Sequence, residues 1–111
     1  MRSRNRQVQF EVEHGMLVRH VARLDGRGYT QRAALTVLKE VCYYLEARTQ
    51  DGATSPELWD GLPELPATQI SVALDFLKER GCVVIRCRRS YPASNFLFED
   101  AMIEYHALAD M

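Results

Sequence analysis

Between Thr54 and Cys87 the chain reads TSPELWDGLPELPATQISVALDFLKERGCVVIRC, and its prolines and glycines leave room for one order of elements: helix, turn, helix, stop, strand. Ser55 is placed to cap the first helix, because its hydroxyl can accept from a free N–H of the first turn. Pro56 takes the first helical position, where its missing donor costs nothing. Glu57 complements the positive end of the helix dipole. The first helix is thus expected over residues 56–61, with Leu58, Trp59 and Leu62 as its apolar residues. Pro63 and Pro66 exclude helix interior from the segment that follows. Thr68 is the next expected cap. The second helix is expected over 69–80, with Ile70, Ala73, Leu74 and Leu77 in one buried stripe. Gly81 supplies a residue free to turn left-handed at the helix end. Cys82 to Arg86 is short and β-branched, which predicts a strand.

The flanking segments carry weaker signals. Residues 1–6 (MRSRNR) are basic and polar and read as an arm. From Gln7 to Glu13 apolar Val8, Phe10 and Val12 alternate with polar residues, the mark of a half-buried strand, and His14-Gly15 follows as a turn. Residues 16–24 fit two periods. Met16, Val18, His20 and Ala22 would alternate in a strand; Leu17, Val21 and Leu24 would line a helix, and the reading leans to a helix or mixed segment. Thr30 is expected to cap a long helix over 31–48. Leu35, Leu38, Cys42 and Leu45 form one of its stripes; Val37, Val41, Tyr44 and Arg48 form another. Two stripes imply burial on two sides or contact with a second chain. After the strand at Cys82, a hairpin with a roomy basic tip is expected to return over 95–98. A terminal helix over 99–111 then begins with Glu99 and Asp100, with Met102, Tyr105, His106 and Ala109 along one side.

A chain of 111 residues that is 47% hydrophobic holds one domain with a core. Its net charge of −1 is not the bulk signature of a nucleic-acid binder, so any such binding must use local positive charge. The three cysteines fit no disulfide framework and read as reduced thiols in a cytoplasmic protein. No apolar run suits a membrane span, and Arg2, Arg4 and Arg6 precede no apolar segment of the signal-peptide kind.

The pattern S-P-E-L, a turn, then I-S-x-x-L-x-x-L-x-x-x-G and an apolar strand resembles the winged helix-turn-helix superfamily over residues 54–98. The resemblance implies an α+β winged-helix fold for residues 1–111: a three-helix core, a β-hairpin wing, an N-terminal strand element and a C-terminal helix. It also implies a transcriptional regulator that binds double-stranded DNA, as a homodimer. The helix over 69–80 would enter the major groove by its first turns, which assigns base contacts to Thr68, Gln69, Ser71 and Val72. Gln suits adenine, Ser several base edges, and Val a thymine methyl. Asp75 and Glu79, on the outer face, would repel phosphate and keep the later turns shallow. Arg86, Arg88 and Arg89 would grip the backbone from the wing, with strand alternation putting Arg86 and Arg88 on one face.

Other chemistries have less support. Cys42, Cys82, Cys87 and the three histidines match no metal-ligand spacing, and buried cysteine usually packs as a small hydrophobe. No cofactor is expected. Neither a phosphate loop nor a nucleophile triad is present, so no enzyme is expected. Trp59, Tyr43, Tyr44 and Tyr105 read as core or interface rather than as a ligand pocket. The rival to DNA binding is a winged-helix module that docks on protein, since fold does not fix function. Asp75, Glu79 and the near-neutral charge favour it.

Overall fold

The computed structural model describes residues 6–111, and residues 1–5 of the expected basic arm lie outside them. Three strands open the chain: β1 (Arg6–Glu13), β2 (Met16–Arg23) and β3 (Tyr29–Ala34). They form an antiparallel sheet in the order β1-β2-β3. His14 and Gly15 join the first two, both with positive φ (54° and 77°), the backbone of a tight two-residue hairpin turn. Residues 16–24 are therefore strand where the sequence leaned to helix. The register explains why: Leu17 faces Val12 and Ala33, while Val21 faces Val8 and Tyr29. Pairing on both sides decides between two periods that a single segment leaves balanced.

β3 passes without a linker into α1 (Leu35–Glu46), so the long helix begins at Leu35 rather than Gln31. Thr30 is in the sheet and caps nothing; the N-cap is Ala34, with extended backbone and no capping side chain. Both expected stripes of this helix are used within the chain. Val37, Leu38, Val41, Cys42 and Leu45 are buried, and α1 packs on two later helices.

Those helices are α3 (Ala67–Glu79) and α4 (Leu97–Ala109), with α2 (Ser55–Gly61) between α1 and α3. Thr54, not Ser55, caps α2. Its hydroxyl accepts from the Glu57 N–H at 3.2 Å, and the Glu57 carboxylate accepts from the Thr54 N–H at 3.1 Å, a reciprocal capping box. Pro66, not Thr68, precedes α3, so Thr68 lies inside its first turn. Gly81, at φ 75°, ends α3 as expected. The Cys82 N–H reaches back to the Leu77 carbonyl (2.8 Å) and the Gly81 N–H to that of Lys78 (3.1 Å), the Schellman arrangement.

The hairpin differs from its expectation. β4 (Val83–Arg86) pairs with β5 (Arg89–Pro92), and Cys87 and Arg88 alone make the turn, both left-handed at φ 51° and 66°. The returning strand is thus 89–92 rather than 95–98, and the tip is tight rather than roomy. Ala53 bridges Ser90 and extends this small sheet by one position. α4 starts two residues earlier than expected and buries Leu97, Ala101, Tyr105 and Leu108. That stripe retains only Tyr105 from the expected side. The whole is an α+β domain of four helices and two antiparallel sheets among the described residues, and no helix there is long and apolar enough to cross a membrane.

Candidate nucleic-acid interface and the sheet beside it

α3 is apolar on more of its circumference than one stripe. Ile70, Ala73, Leu74 and Leu77 face the helical core as expected, but Val72 and Phe76 are also fully buried. They belong to the side that meets the three-stranded sheet. Phe76 sits edge-on to Phe10 of β1 with ring centres 5.5 Å apart. α3 is therefore sandwiched between α1 and the inner face of the sheet.

The inner face of that sheet is built in rows: Val8, Val21 and Tyr29; Phe10, Arg19 and Gln31; Val12, Leu17 and Ala33. Arg19 stands at its centre and is only 6% exposed. A charged side chain in such a place needs partners. Its guanidinium pairs with the Asp75 carboxylate of α3 and donates to the Gln31 side-chain oxygen. The Ser71 hydroxyl lies 3.5 Å from the same guanidinium. Arg19 Nε is buried with no hydrogen-bond partner among the described residues. Asp75 is consequently not a free carboxylate on an outer face but the counter-ion of a buried arginine.

The structure separates the residues assigned to base contact. Thr68 is exposed. Gln69 spends its side-chain oxygen on the Ala34 N–H at 2.9 Å, closing the junction between β3 and α1. Ser71 is half-buried beside Arg19. Val72 has no exposed surface, so the expected touch on a thymine methyl is corrected: its methyls are enclosed in the core. The stripe of α3 left open carries Thr68, Lys78 and Glu79, with Ser71 and Asp75 at half exposure. Lys78 has no carboxylate partner among the described residues, and Glu79 pairs with Arg80 at 3.0 Å.

The hairpin arginines also divide. Arg89 is structural: its guanidinium binds the Glu57 carboxylate at 2.8 Å and the Asp51 carbonyl at 2.8 Å, tying the hairpin to the start of α2. The Thr54 N–H, and after it Arg89, hold the Glu57 carboxyl below its ordinary pKa. Arg86 and Arg88 are exposed. Arg86 stacks over the Tyr91 ring, 4.9 Å from its centre. Arg88 lies in the turn, so strand alternation does not set its direction.

The aromatic residues do not converge on a pocket. Tyr43 stacks on Phe98 at 4.9 Å. Tyr44 lies under the Arg48 guanidinium, 3.5 Å from its centre. Tyr105 donates its hydroxyl to the Gly15 carbonyl at 2.6 Å. Trp59 is 44% exposed on α2.

Cys42 and Cys82 are buried and Cys87 is exposed. Burial foremost pushes the Cys42 thiol up to about 12 and the Cys82 thiol up to about 11. Thiolate is the reactive form. Native protein treated with iodoacetamide near pH 8 should therefore take one label, on Cys87, and three after unfolding. Rapid native labelling of Cys42, read by peptide mass, would contradict its enclosure.

Sequence reasoning missed Arg19, and the signal was present. In a strand reading of 16–23, Arg19 falls between Leu17 and Val21 on the apolar side. No protein-family model, curated protein or solved structure matches this chain.

Proposed function

We propose that the chain is a protein-docking module of winged-helix type that does not read base sequence through α3. Residues 35–92 run helix, bridging residue, helix, helix and hairpin, with Ala53 against Ser90. That order supports the winged-helix reading. The docking reading is carried by one observation: Val72 and Phe76 are buried beneath the sheet, and Gln69 and Asp75 are bonded within the chain. A helix presented to a major groove needs those positions free.

A second reading keeps duplex DNA as a partner through its backbone alone. Arg86 and Arg88 favour it, being exposed and without a carboxylate partner among the described residues. Two such contacts give a log–log salt slope of about −1.8 and no sequence preference.

Selection from random duplex DNA with the whole chain tests both. The docking reading expects no enriched sequence. Any residual binding should fade between 50 and 200 mM salt and vanish in Arg86→Ala/Arg88→Ala. An enriched motif that depends on Thr68, Gln69 or Ser71 would overturn the proposal.

A further inference from the structure

We infer that two copies of this chain join edge to edge through β1, antiparallel about Phe10, to make one continuous six-stranded sheet. This goes beyond the docking reading and does not depend on it.

The sheet has two edges, and they are treated differently. At the β3 edge the Ala34 N–H is taken by Gln69 of α3. β1 pairs only with β2, and among the described residues no other backbone hydrogen bond involves residues 7–13. An edge strand with open N–H and C=O groups is a template for another strand. Proteins that stay apart blunt such edges with charged side chains, proline, a bulge or a covering helix. β1 has no proline and no bulge, pairing with β2 through eight successive positions; Glu11 and Glu13 lean inward onto His20 and Arg32 of the same sheet, and α4 packs against β1.

The sequence of β1 is also complementary to itself. Valines 8 and 12 and Phe10 share the inner face, half-buried, while Gln7, Gln9, Glu11 and Glu13 are exposed on the other. A two-fold axis through Phe10 sets Phe10 against the partner's Phe10 and Val8 against the partner's Val12. On the outer face it sets Gln9 against the partner's Glu11 and Gln7 against the partner's Glu13. Each amide then donates to a carboxylate that keeps its partner in its own chain, His20 for Glu11 and Arg32 for Glu13, and no two like charges face each other. A slide of one residue would put apolar against polar faces. Re-centring the axis on Glu11 would set that carboxylate against itself. Beside Val8 and Phe10 a groove of about 330 Å³ opens toward Asp75, Lys78 and Glu79 of α3. The partner's apolar row would lie over its mouth. The interface is isologous, as a closed dimer requires.

Sedimentation of the whole chain over a concentration series up to about 1 mM tests the pairing, beside two variants at exposed positions. Gln7→Glu/Gln9→Glu creates like-charged pairs across the axis, repeated by symmetry, and should weaken the dimer by about tenfold or more. Gln7→Lys/Gln9→Lys creates opposite-charged pairs and should tighten it by a similar factor. Thermal melts by circular dichroism check that both variants fold like the parent. A chain that is monomeric throughout, or a dimer whose dissociation constant is the same in all three proteins, would overturn the inference.

Discussion

Asp75→Ala should lower folding stability by about 3 kcal/mol, although a third of the Asp75 side chain is exposed. The cause lies across the interface. Arg19 cannot lose its proton, and its side chain is 7% exposed. Without Asp75 the guanidinium keeps the Gln31 oxygen and the Ser71 hydroxyl but no counter-charge, on a face otherwise built of residues such as Phe10, Leu17 and Ala33. Removing one member of a buried pair costs about 3–5 kcal/mol, and the partial exposure of Asp75 puts this case at the low end. Removing both members differs in kind. Arg19→Met/Asp75→Ala replaces the charge with an apolar chain of similar reach and also relieves the unpartnered Nε. The double variant should recover most of the loss. Urea unfolding of the parent, both single variants and the double variant gives the coupling energy directly. A loss below about 1 kcal/mol for Asp75→Ala would make this an ordinary surface pair.

The legible part of the chain was the part governed by local punctuation. Pro56, Pro63, Pro66 and Gly81 bound two helices because each acts on its own backbone, whatever surrounds it. The strand Gln7–Glu13 was legible because alternation is a property of one segment. The errors fall where a neighbour decides. Residues 16–24 carry both periods, and only pairing to β1 and β3 selects the strand. Gln31 to Ala34 was absorbed into a helix because α1 follows with no breaker, and its strand state is fixed by β2. At the hairpin, Cys87 and Arg88 take left-handed backbone that their side chains do not advertise. The tight turn was therefore invisible, and the return strand was sought too late.

The candidate site shows the same divide. Thr68, Gln69, Ser71 and Val72 were assigned by position in a motif, which holds only if nothing else packs on that side of the helix. Val72 and Phe76 were the readable warning. They are apolar residues off the Ile70–Leu77 stripe, and a second apolar stripe on a helix implies a second covering element. What covers them could not be read, because the sheet comes from residues more than thirty positions earlier in the chain.

Phe76→Ala should be the most damaging single truncation on α3, at about 4 kcal/mol. The ring is fully buried and meets Phe10 on the sheet, while the Arg80 guanidinium stands 5.7 Å from its centre. Neither side can close the gap readily. The ring sits between the helical core and a sheet held by its own ladder, so the cavity term adds to the lost transfer energy. Thr68→Ala, on the exposed first turn, should change stability by less than about 0.5 kcal/mol. A groove-reading helix would give the opposite pattern: position 76 nearly silent in stability and strong in DNA affinity. Hydrogen exchange adds a spatial check. If α3 clamps the sheet, Phe76→Ala should speed exchange at β1 and β2 amides around Phe10 and Arg19 more than in the β4–β5 hairpin, because the lost contact lies on the sheet side. Unchanged protection in β1 and β2, with a loss under about 1 kcal/mol, would mean that the sheet does not rest on α3. The recognition face would then be open to a duplex after all.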